Sequence, residues 1–260
     1  MSGAGDTGTL VQPSVFLDAG VLLNLFHFWD ACNSAGAGGR LHEISGWKDL
    51  EGTLRSANLH VEGMKQNDDI SRGMNVFRRL RDSWSRQHHF SSRVCWSELH
   101  HALLEARALE GLVRRGVPQS IRMKRPQRMY RAALQESDYD ELRDQIRLFR
   151  DSLNLDYGID VIDVEDPSRG LTVALADIWD AAREIWSHVL MEVLDAYIYA
   201  AASLVHADAF VSGDENLRHA LMLLHDPDIE WTPTVVSLRR ALGLAPGATL
   251  PRPVTPGAAL

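Results

Sequence analysis

Two stretches of sequence decide the fold: Val15-Phe16-Leu17-Asp18 near the start and Ala209-Phe210-Val211-Ser212-Gly213-Asp214 near the end. Each is a short apolar run typical of a buried β-strand that stops at an aspartate and leads into a helix-like segment. In a parallel α/β sheet the carboxyl ends of the strands share one edge, and ligands bind there. We therefore expect Asp18 and Asp214 at the same edge, where two carboxylates repel each other unless a cation lies between them.

The rest of the sequence alternates between strand and helix patterns. Helices are predicted over 19–31, 96–112, 139–153, 171–190, 191–205 and 216–224. Further strands are predicted over 158–164 and in a short segment within 229–236. This order predicts a single α/β domain over residues 14–240, with a mostly parallel central sheet of about four to five short strands flanked by helices.

Three segments depart from this pattern. Residues 35–90 and 107–153 are predicted to be helical insertions, and the first carries an apolar stripe through Met74, Phe77, Leu80 and Trp84. Residues 245–260 contain four prolines and two glycines, so we expect a disordered tail there.

The composition is that of a soluble globular protein, with 45% hydrophobic and 24% charged residues. No apolar stretch approaches the ~18 residues that a membrane span needs, so no membrane association is predicted. The first residues lack the pattern of a signal peptide. The two cysteines, Cys32 and Cys95, form no disulfide framework or zinc-binding spacing. These features predict a cytoplasmic protein.

The charge is distributed unevenly along the chain. The formal net charge is −8, which argues against binding nucleic acid over the whole surface. Between residues 107 and 131, however, eight basic residues stand against the single acidic residue Glu110. This segment is predicted either to contact RNA or to be an ordinary solvated helical region, and both alternatives stay open. The side chains predicted to contact RNA are Arg114, Arg115, Arg122, Lys124, Arg125 and Arg128.

Two more carboxylates lie between the terminal strands. Glu98 falls at the start of a predicted helix, and Asp195 falls in a helix that is otherwise almost entirely apolar or small. An unpaired charge in such a helix is costly, so Asp195 is expected to be neutralised by a partner. Four carboxylates from separate elements at one sheet edge are suited to Mg²⁺ or Mn²⁺, which prefer oxygen ligands.

The chain resembles the PIN-domain nucleases. The resemblance rests on the segments 16–23 (FLDAGVLL), 97–103 (SELHHAL), 195–202 (DAYIYAAA) and 207–217 (ADAFVSGDENL). The last two segments are the most specific, because a helix aspartate, an alanine-rich stretch, Ala-Asp before a strand and Ser-x-Asp after it occur in the family's order. Gly20 departs from the pattern, since asparagine is common at that position.

The resemblance implies a PIN-like fold and a metal-dependent nuclease. It makes Asp18, Glu98, Asp195 and Asp214 both the catalytic and the metal-binding residues, with Ser212 in support. It further implies hydrolysis of RNA to leave a 5′-phosphate. A toxin neutralised by an antitoxin protein, and a homodimer, are implied more distantly.

Other interpretations of the same residues remain. Taken singly, Asp18 and Asp214 are typical helix N-caps. Five of the seven tryptophans, at positions 84, 96, 179, 186 and 231, are more typical of a core than of base-stacking surfaces. At the level of function, the alternatives are a catalytically silent PIN-like domain that binds RNA or protein, and a nuclease that acts on DNA.

Overall fold

The structure is a computed structural model that describes residues 14–59, 68–82, 84–85, 87–118, 133–169, 171, 173–189, 191–225 and 250–256. Its strands are β1 (Ser14–Leu17), β2 (His88–Ser91), β3 (Val161–Asp163), β4 (Ala209–Val211) and β5 (Arg252–Val254). Its α-helices are α1 (Ala19–Ser34), α2 (Trp47–Ser56), α3 (Asp68–Asp82), α4 (Arg93–Arg114), α5 (Glu136–Tyr157), α6 (Leu175–His188), α7 (Val193–Leu204) and α8 (Glu215–Met222). Short 3₁₀ helices cover Gly38–Glu43, Pro167–Arg169 and Leu223–His225.

The strands form one five-stranded sheet in the order β3-β2-β1-β4-β5, and every pairing is parallel. The predicted α/β class with a parallel sheet is therefore confirmed. The chain adds β2 and β3 on one side of β1 and then β4 and β5 on the other side, so the order in which strands are added reverses at β1. In open α/β sheets, ligands bind in the crevice at such a reversal. The topology thus directs attention to the carboxyl ends of β1 and β4.

The core explains why the two terminal stretches form central strands. All residues of β1 and β4 are buried, and Phe16 stacks on Phe210 with ring centroids 5.9 Å apart. The ring of Tyr199 in α7 packs edge-on against Phe210 at 5.5 Å. A strand covered by helices on both faces is apolar along its whole length, which is the pattern that the sequence shows.

Asp208 holds the amino-terminal ends of the strands, at the edge opposite the predicted site. Its Oδ2 accepts a hydrogen bond of 2.7 Å from the Ser14 backbone N–H. Its carbonyl accepts one of 3.1 Å from the Arg252 N–H. Asp208 therefore links β1, β4 and β5 structurally and lies away from the other carboxylates of interest.

The segment 35–90 is more than an insertion over the core. Its last residues, His88–Phe90, belong to β2, which pairs with the central strand β1. The prediction missed this strand because two of its residues are histidines. His89 is nevertheless buried, its Nε2 lies 3.1 Å from the Trp84 carbonyl, and burial lowers its pKa to about 4. The predicted stripe is confirmed, since Met74, Phe77, Leu80 and Trp84 are all buried in the main core.

The prediction of a disordered tail over 245–260 is wrong for the part that the structure describes. Residues Arg252–Val254 form β5, which extends the sheet by pairing with β4. An edge strand tolerates Pro253, because an edge residue does not need its N–H for a further strand. The last strand predicted within 229–236 lies outside the described residues. Among those that are described, no helix is long and apolar enough to cross a membrane.

We expect Gly73→Ala to destabilise the protein, because α3 and α1 approach each other closely at this glycine. A Cβ on Gly73 would lie 1.9 Å from the Asn24 carbonyl oxygen and 2.9 Å from the Phe28 Cβ. The helices must move apart, which costs about 1–3 kcal/mol of unfolding free energy, measured by urea denaturation. The control is Gly52→Ala in α2, where a Cβ meets nothing within 4 Å and stability should rise by up to about 1 kcal/mol. Equal effects at the two positions would contradict the close approach.

Candidate functional site

Asp18 lies at the centre of the carboxyl edge of the sheet. Leu17 pairs with Val211, so the residues that follow them, Asp18 and Ser212, lie side by side. The Ser212 hydroxyl donates a hydrogen bond of 2.7 Å to Asp18 Oδ2, and the Ala19 N–H donates one of 2.6 Å to Oδ1. Asp18 is only 7% exposed. It is therefore an N-cap of α1 and also a buried carboxylate at the reversal of strand order.

Asp214 lies on the same side of the sheet, two residues after Ser212. Its carboxylate caps α8 by accepting hydrogen bonds from the N–H groups of Asn216 and Leu217, at 2.8 and 3.0 Å. Its own N–H donates to the Ser212 hydroxyl oxygen at 3.0 Å. The single hydroxyl of Ser212 thus joins the carboxylate of Asp18 to the backbone of Asp214, while its role in a metal site stays a prediction. The capping interpretation also holds for both aspartates.

Glu98 and Asp195 reach this edge from two helices. Glu98 is in the second turn of α4, which begins directly after β2, and Asp195 is in the first turn of α7. The sequence pattern places Asp195 inside an apolar helix, and the structure corrects this position. The helix begins at Val193 rather than Met191, so Asp195 is in its first turn and accepts a hydrogen bond from the Glu192 N–H. A carboxylate at this position is favourable in its own right.

The pKa of Asp18 is raised, mainly because burial disfavours its charged form. The hydrogen bonds from Ser212 and from the Ala19 N–H act in the opposite direction, and the charge of Asp214 raises the pKa further. The fold therefore places a carboxylate where it is costly and then uses two hydrogen bonds to hold it.

Glu98 and Asp195 are perturbed in the same direction. Burial raises the pKa of the Glu98 carboxyl to about 7, with smaller contributions from the charges of Asp18, Asp195 and Glu192. Burial also raises the pKa of Asp195 to about 6, followed by the charges of Asp18, Glu192 and Asp214. The pKa values of Asp18, Glu98 and Asp195 are all shifted by neighbouring charges. Among the described residues, each of these neighbouring charges is another carboxylate. The four predicted residues lie after the carboxyl ends of β1 and β4 and in the first two turns of α4 and α7, and their charges act on one another; we call them the edge cluster.

The chemistry of the edge cluster suits a divalent cation, but its side chains are not arranged as a preformed metal site. It consists of oxygen donors whose mutual repulsion a cation would relieve. Yet within the described residues, no group of three or more His, Cys, Asp or Glu side chains is close enough to hold one ion. Mg²⁺ usually keeps several waters and is bound through one or two carboxylates plus substrate phosphates, so three direct ligands are not required. The residues that could hold such an ion are Asp18, Glu98, Asp195 and Asp214.

The structure adds one carboxylate that the sequence prediction omitted. Glu192 is the N-cap residue of α7, exposed, and its charge raises the pKa values of both Glu98 and Asp195. Its spacing of three residues from Asp195 was the available signal, since residues three apart on a helix are neighbours. Glu192 therefore belongs with the edge cluster.

Two arginines near the edge cluster were also missed. A cavity of about 320 Å³ beside Asp214 is lined by Arg72, Asn75, Gly213, Glu215, Arg218, Thr255 and Pro256. Arg218 donates a hydrogen bond of 2.8 Å to the Ser212 carbonyl, so its guanidinium is fixed next to the loop. Arg72 comes from α3, a helix predicted to lie in an insertion, and no sequence signal links it to β4. Cations beside a carboxylate cluster are suited to an anionic ligand.

A third strand-end carboxylate, Asp163, is at the same edge but already has partners. Ser91 pairs with Asp163 at the ends of β2 and β3. Asp163 accepts hydrogen bonds from Trp96 Nε1 at 2.6 Å and from Arg150 Nη2 at 3.1 Å. The Arg150 guanidinium also lies 4.3 Å from the centre of the Trp96 ring. Because both carboxylate oxygens are engaged, Asp163 is structural and does not add to the edge cluster.

The predicted RNA-contacting arginines that the structure describes are distant from the edge cluster. Arg114 and Arg115 lie at the carboxyl end of α4, about 24 Å along the helix axis from Glu98 at ~1.5 Å per residue. Arg114 is paired with Glu110 at 3.5 Å. The structure therefore does not bring these two arginines to the site. The other four predicted contacts, Arg122, Lys124, Arg125 and Arg128, lie outside the described residues.

The fold and the edge cluster define the chain as an α/β protein with an acidic site at the reversal of its parallel sheet. No protein-family model, curated protein or solved structure gave a significant match to it. Family membership is therefore not shown, and the resemblance to PIN-domain nucleases stays a prediction.

We expect Ser212→Ala to cost about 1–3 kcal/mol of unfolding free energy at neutral pH, because it leaves a buried Asp18 oxygen without its donor. The Asp214 N–H loses its acceptor at the same time. Urea denaturation measures the change. Ser203→Ala is the matched control, since Ser203 is equally buried but its hydroxyl donates only to the Tyr199 carbonyl within its own helix. A loss of stability no larger than that of the control would contradict the role of Ser212.

Proposed function

We propose that the chain is a PIN-like, divalent-metal-dependent nuclease that hydrolyses phosphodiester bonds in RNA. One observation carries the proposal: the edge cluster gathers carboxylates from four separate elements around buried Asp18, at the reversal of strand order. A protein has little structural reason to bring these charges together, because each destabilises the others. Clusters of this kind are typical of functional sites.

The four carboxylates predicted from the sequence have two roles in this proposal. Asp18 and Asp214, joined through Ser212, and Asp195 would hold the ion. Partly exposed Glu98 would accept a hydrogen bond from the attacking water and so orient it. A bound Mg²⁺ or Mn²⁺ would acidify water and neutralise charge on the scissile phosphate.

The cations next to the cluster support an anionic substrate. Arg72 and Arg218 line the cavity on the Asp214 side, so a phosphodiester placed there would meet guanidinium groups as well as the ion. The choice of RNA over DNA rests on the family resemblance alone. The same is true of a toxin role, an antitoxin partner and a homodimer, which remain predictions for co-purification and sedimentation experiments.

A second candidate function has a specific observation in its favour. Because no three ligating side chains converge among the described residues, a catalytically silent PIN-like domain that binds RNA or protein would also explain the fold. The two functions differ in their response to metal. A nuclease must lose its activity when the ion is removed, whereas a silent domain has no activity to lose.

The deciding experiment incubates the purified protein with labelled single-stranded RNA and, in parallel, with single-stranded DNA of the same sequence. Cleavage in Mg²⁺ or Mn²⁺ and none in EDTA is the expected result. Preference for the DNA probe would change the substrate but not the reaction. Cleavage that persists in EDTA, or no cleavage with any metal, would contradict the proposal.

A further inference from the structure

Two tryptophans of α6 are unusually exposed. The exposed fraction is 41% for Trp179 and 53% for Trp186, whereas Trp84 and Trp96 are buried as the sequence analysis expects of tryptophans. Trp231 lies outside the described residues. The two exposed rings line a cleft of about 260 Å³ together with Ala182, Arg183 and Val193. We call it the indole cleft. Its lining is mostly apolar, and its size suits a single flat ring system.

A contact with buried Tyr197 fixes the Trp179 wall of the indole cleft. The Trp179 ring packs on the ring of Tyr197 with centroids 4.8 Å apart. The Tyr197 hydroxyl in turn donates a hydrogen bond of 3.1 Å to Glu165. Glu165 also accepts a hydrogen bond of 3.0 Å from the Arg93 N–H at the start of α4. One wall of the cleft is therefore fixed before any ligand arrives, which lowers the entropic cost of binding.

The indole cleft adjoins the edge cluster along α7. Val193, which lines the cleft, is the first residue of α7. Glu192 precedes it, and Asp195 follows in the same turn. A ligand that occupies the cleft therefore lies within one helical turn of two carboxylates of the cluster. A substrate that extends from the cleft around the start of α7 would reach the site.

Two arginines lie at or beside the cleft, where a polyanion would need positive charge. Arg183 lines it, and its ion pair with Asp180 joins two highly exposed side chains on one helix, an arrangement that contributes little energy. Arg93 is exposed, and its backbone N–H donates to Glu165, which is also the partner of the Tyr197 hydroxyl, so Arg93 lies beside the wall of the cleft. Within the part of the chain that the structure describes, its guanidinium makes no hydrogen bond or ion pair, although the carboxylate of Asp166 is near it. Both arginines are exposed, so each exchanges its neighbouring carboxylate at little cost for a phosphate group.

We propose that the indole cleft binds an unpaired base of a single-stranded nucleic acid, which stacks on Trp186 and Trp179 while Arg183 and Arg93 contact the neighbouring phosphates. This inference rests on the proposed function, since it makes the cleft a substrate-binding subsite of the edge cluster. Stacking surfaces beside cations are how proteins bind single strands without sequence preference. A protein partner needs about 800 Å² of surface on each side, which the three large apolar side chains of the cleft do not supply by themselves.

The test measures affinity in EDTA, so that binding is observed without cleavage. The probe is a fluorescein-labelled single-stranded oligouridylate, and the titration follows its anisotropy. We expect Trp186→Ala to weaken binding about 5- to 100-fold, and Trp186→Phe to retain most of the affinity because phenylalanine still stacks. The matched control is Leu148→Ala in α5, whose side chain is 54% exposed but outside the cleft. A self-complementary RNA duplex serves as a second probe and should bind equally to wild type and Trp186→Ala.

Several outcomes would overturn the inference. These are equal affinity of wild type and Trp186→Ala, an equal loss in Leu148→Ala, or no binding by the wild type. A shift from dimer to monomer in Trp186→Ala, with affinity unchanged, would instead make the cleft an interface between copies. The inference and the proposed function fail separately. Metal-dependent cleavage with an unchanged KM in Trp186→Ala would contradict only the base-binding site. Weaker binding by Trp186→Ala, without cleavage by any form of the protein, would contradict only the nuclease activity.

Discussion

Asp18→Asn should abolish metal-dependent cleavage and, at the same time, raise thermal stability. Asparagine keeps the shape of the side chain and is as good an N-cap as aspartate, so α1 retains its cap. The Ser212 hydroxyl can turn to accept from the new amide. What disappears is a buried charge that burial and Asp214 both disfavour. Cleavage should fall by about two to four orders of magnitude, and Tm should rise by about 2–4 °C per kcal/mol relieved.

Both changes must appear in one preparation, which distinguishes this result from a contaminating nuclease. Cleavage is followed on labelled single-stranded RNA and Tm by circular dichroism at about pH 8. Asp208→Asn is the matched control, since Asp208 is a strand-end aspartate at the opposite edge and should leave cleavage intact. Undiminished cleavage in Asp18→Asn would exclude the edge cluster as the catalytic site. A large fall in Tm would contradict the expected relief, because it would mean that the folded state depends on the negative charge of Asp18.

The second large effect is a loss of stability with rising pH that Mg²⁺ reverses. The pKa of Glu98 rises from 4.5 to about 7 on folding, and that of Asp195 from 3.8 to about 6. Between these limits the folded protein binds more protons than the unfolded chain, so unfolding becomes easier as pH increases. In EDTA, the contribution of these groups should be most favourable near pH 4 and fully lost above about pH 7.

Divalent ions should act in the same window. The ion competes with protons, so we expect little effect near pH 4 and a Tm increase of about 5–10 °C near pH 8 when the ion is present at about 100 times its Kd. Thermal melts with and without Mg²⁺ across the pH range measure both effects. The double variant Glu98→Gln and Asp195→Asn should flatten the pH profile and abolish the response to Mg²⁺. An equal Mg²⁺ response at both pH values would show binding elsewhere.

The central strands and the strand-end aspartates could be predicted because they depend on local pattern and on one general rule of topology. Apolar runs that stop at Asp18 and Asp214 require a covered, parallel sheet, and a parallel sheet places its carboxyl ends together. The same rule cannot state how far apart the side chains lie. The predicted residues share an electrostatic neighbourhood, but the distances needed for a three-ligand metal centre do not follow from sequence and are absent among the described residues.

Two strands escaped prediction because tertiary context overrode their composition. β2 begins with two histidines. His89 is tolerated in the core because its Nε2 forms a hydrogen bond with the Trp84 carbonyl. β5 contains Pro253 and forms because β4 offers it an edge. The exposure of Trp179 and Trp186 could not be predicted from the sequence for a related reason. An amphipathic pattern shows which side of a helix is apolar, but not whether another element covers it.

The hydrogen bond between Ser212 and Asp18 joins residues 194 positions apart. Neither half of the chain can therefore assemble the edge cluster alone. A chain emerging from the ribosome at about 5–20 residues per second carries Asp18 for many seconds before Asp214 exists. On the proposed function, a partly synthesised chain is harmless to the messenger RNA that encodes it, because its chemistry begins only after residue 214 has been made and folded.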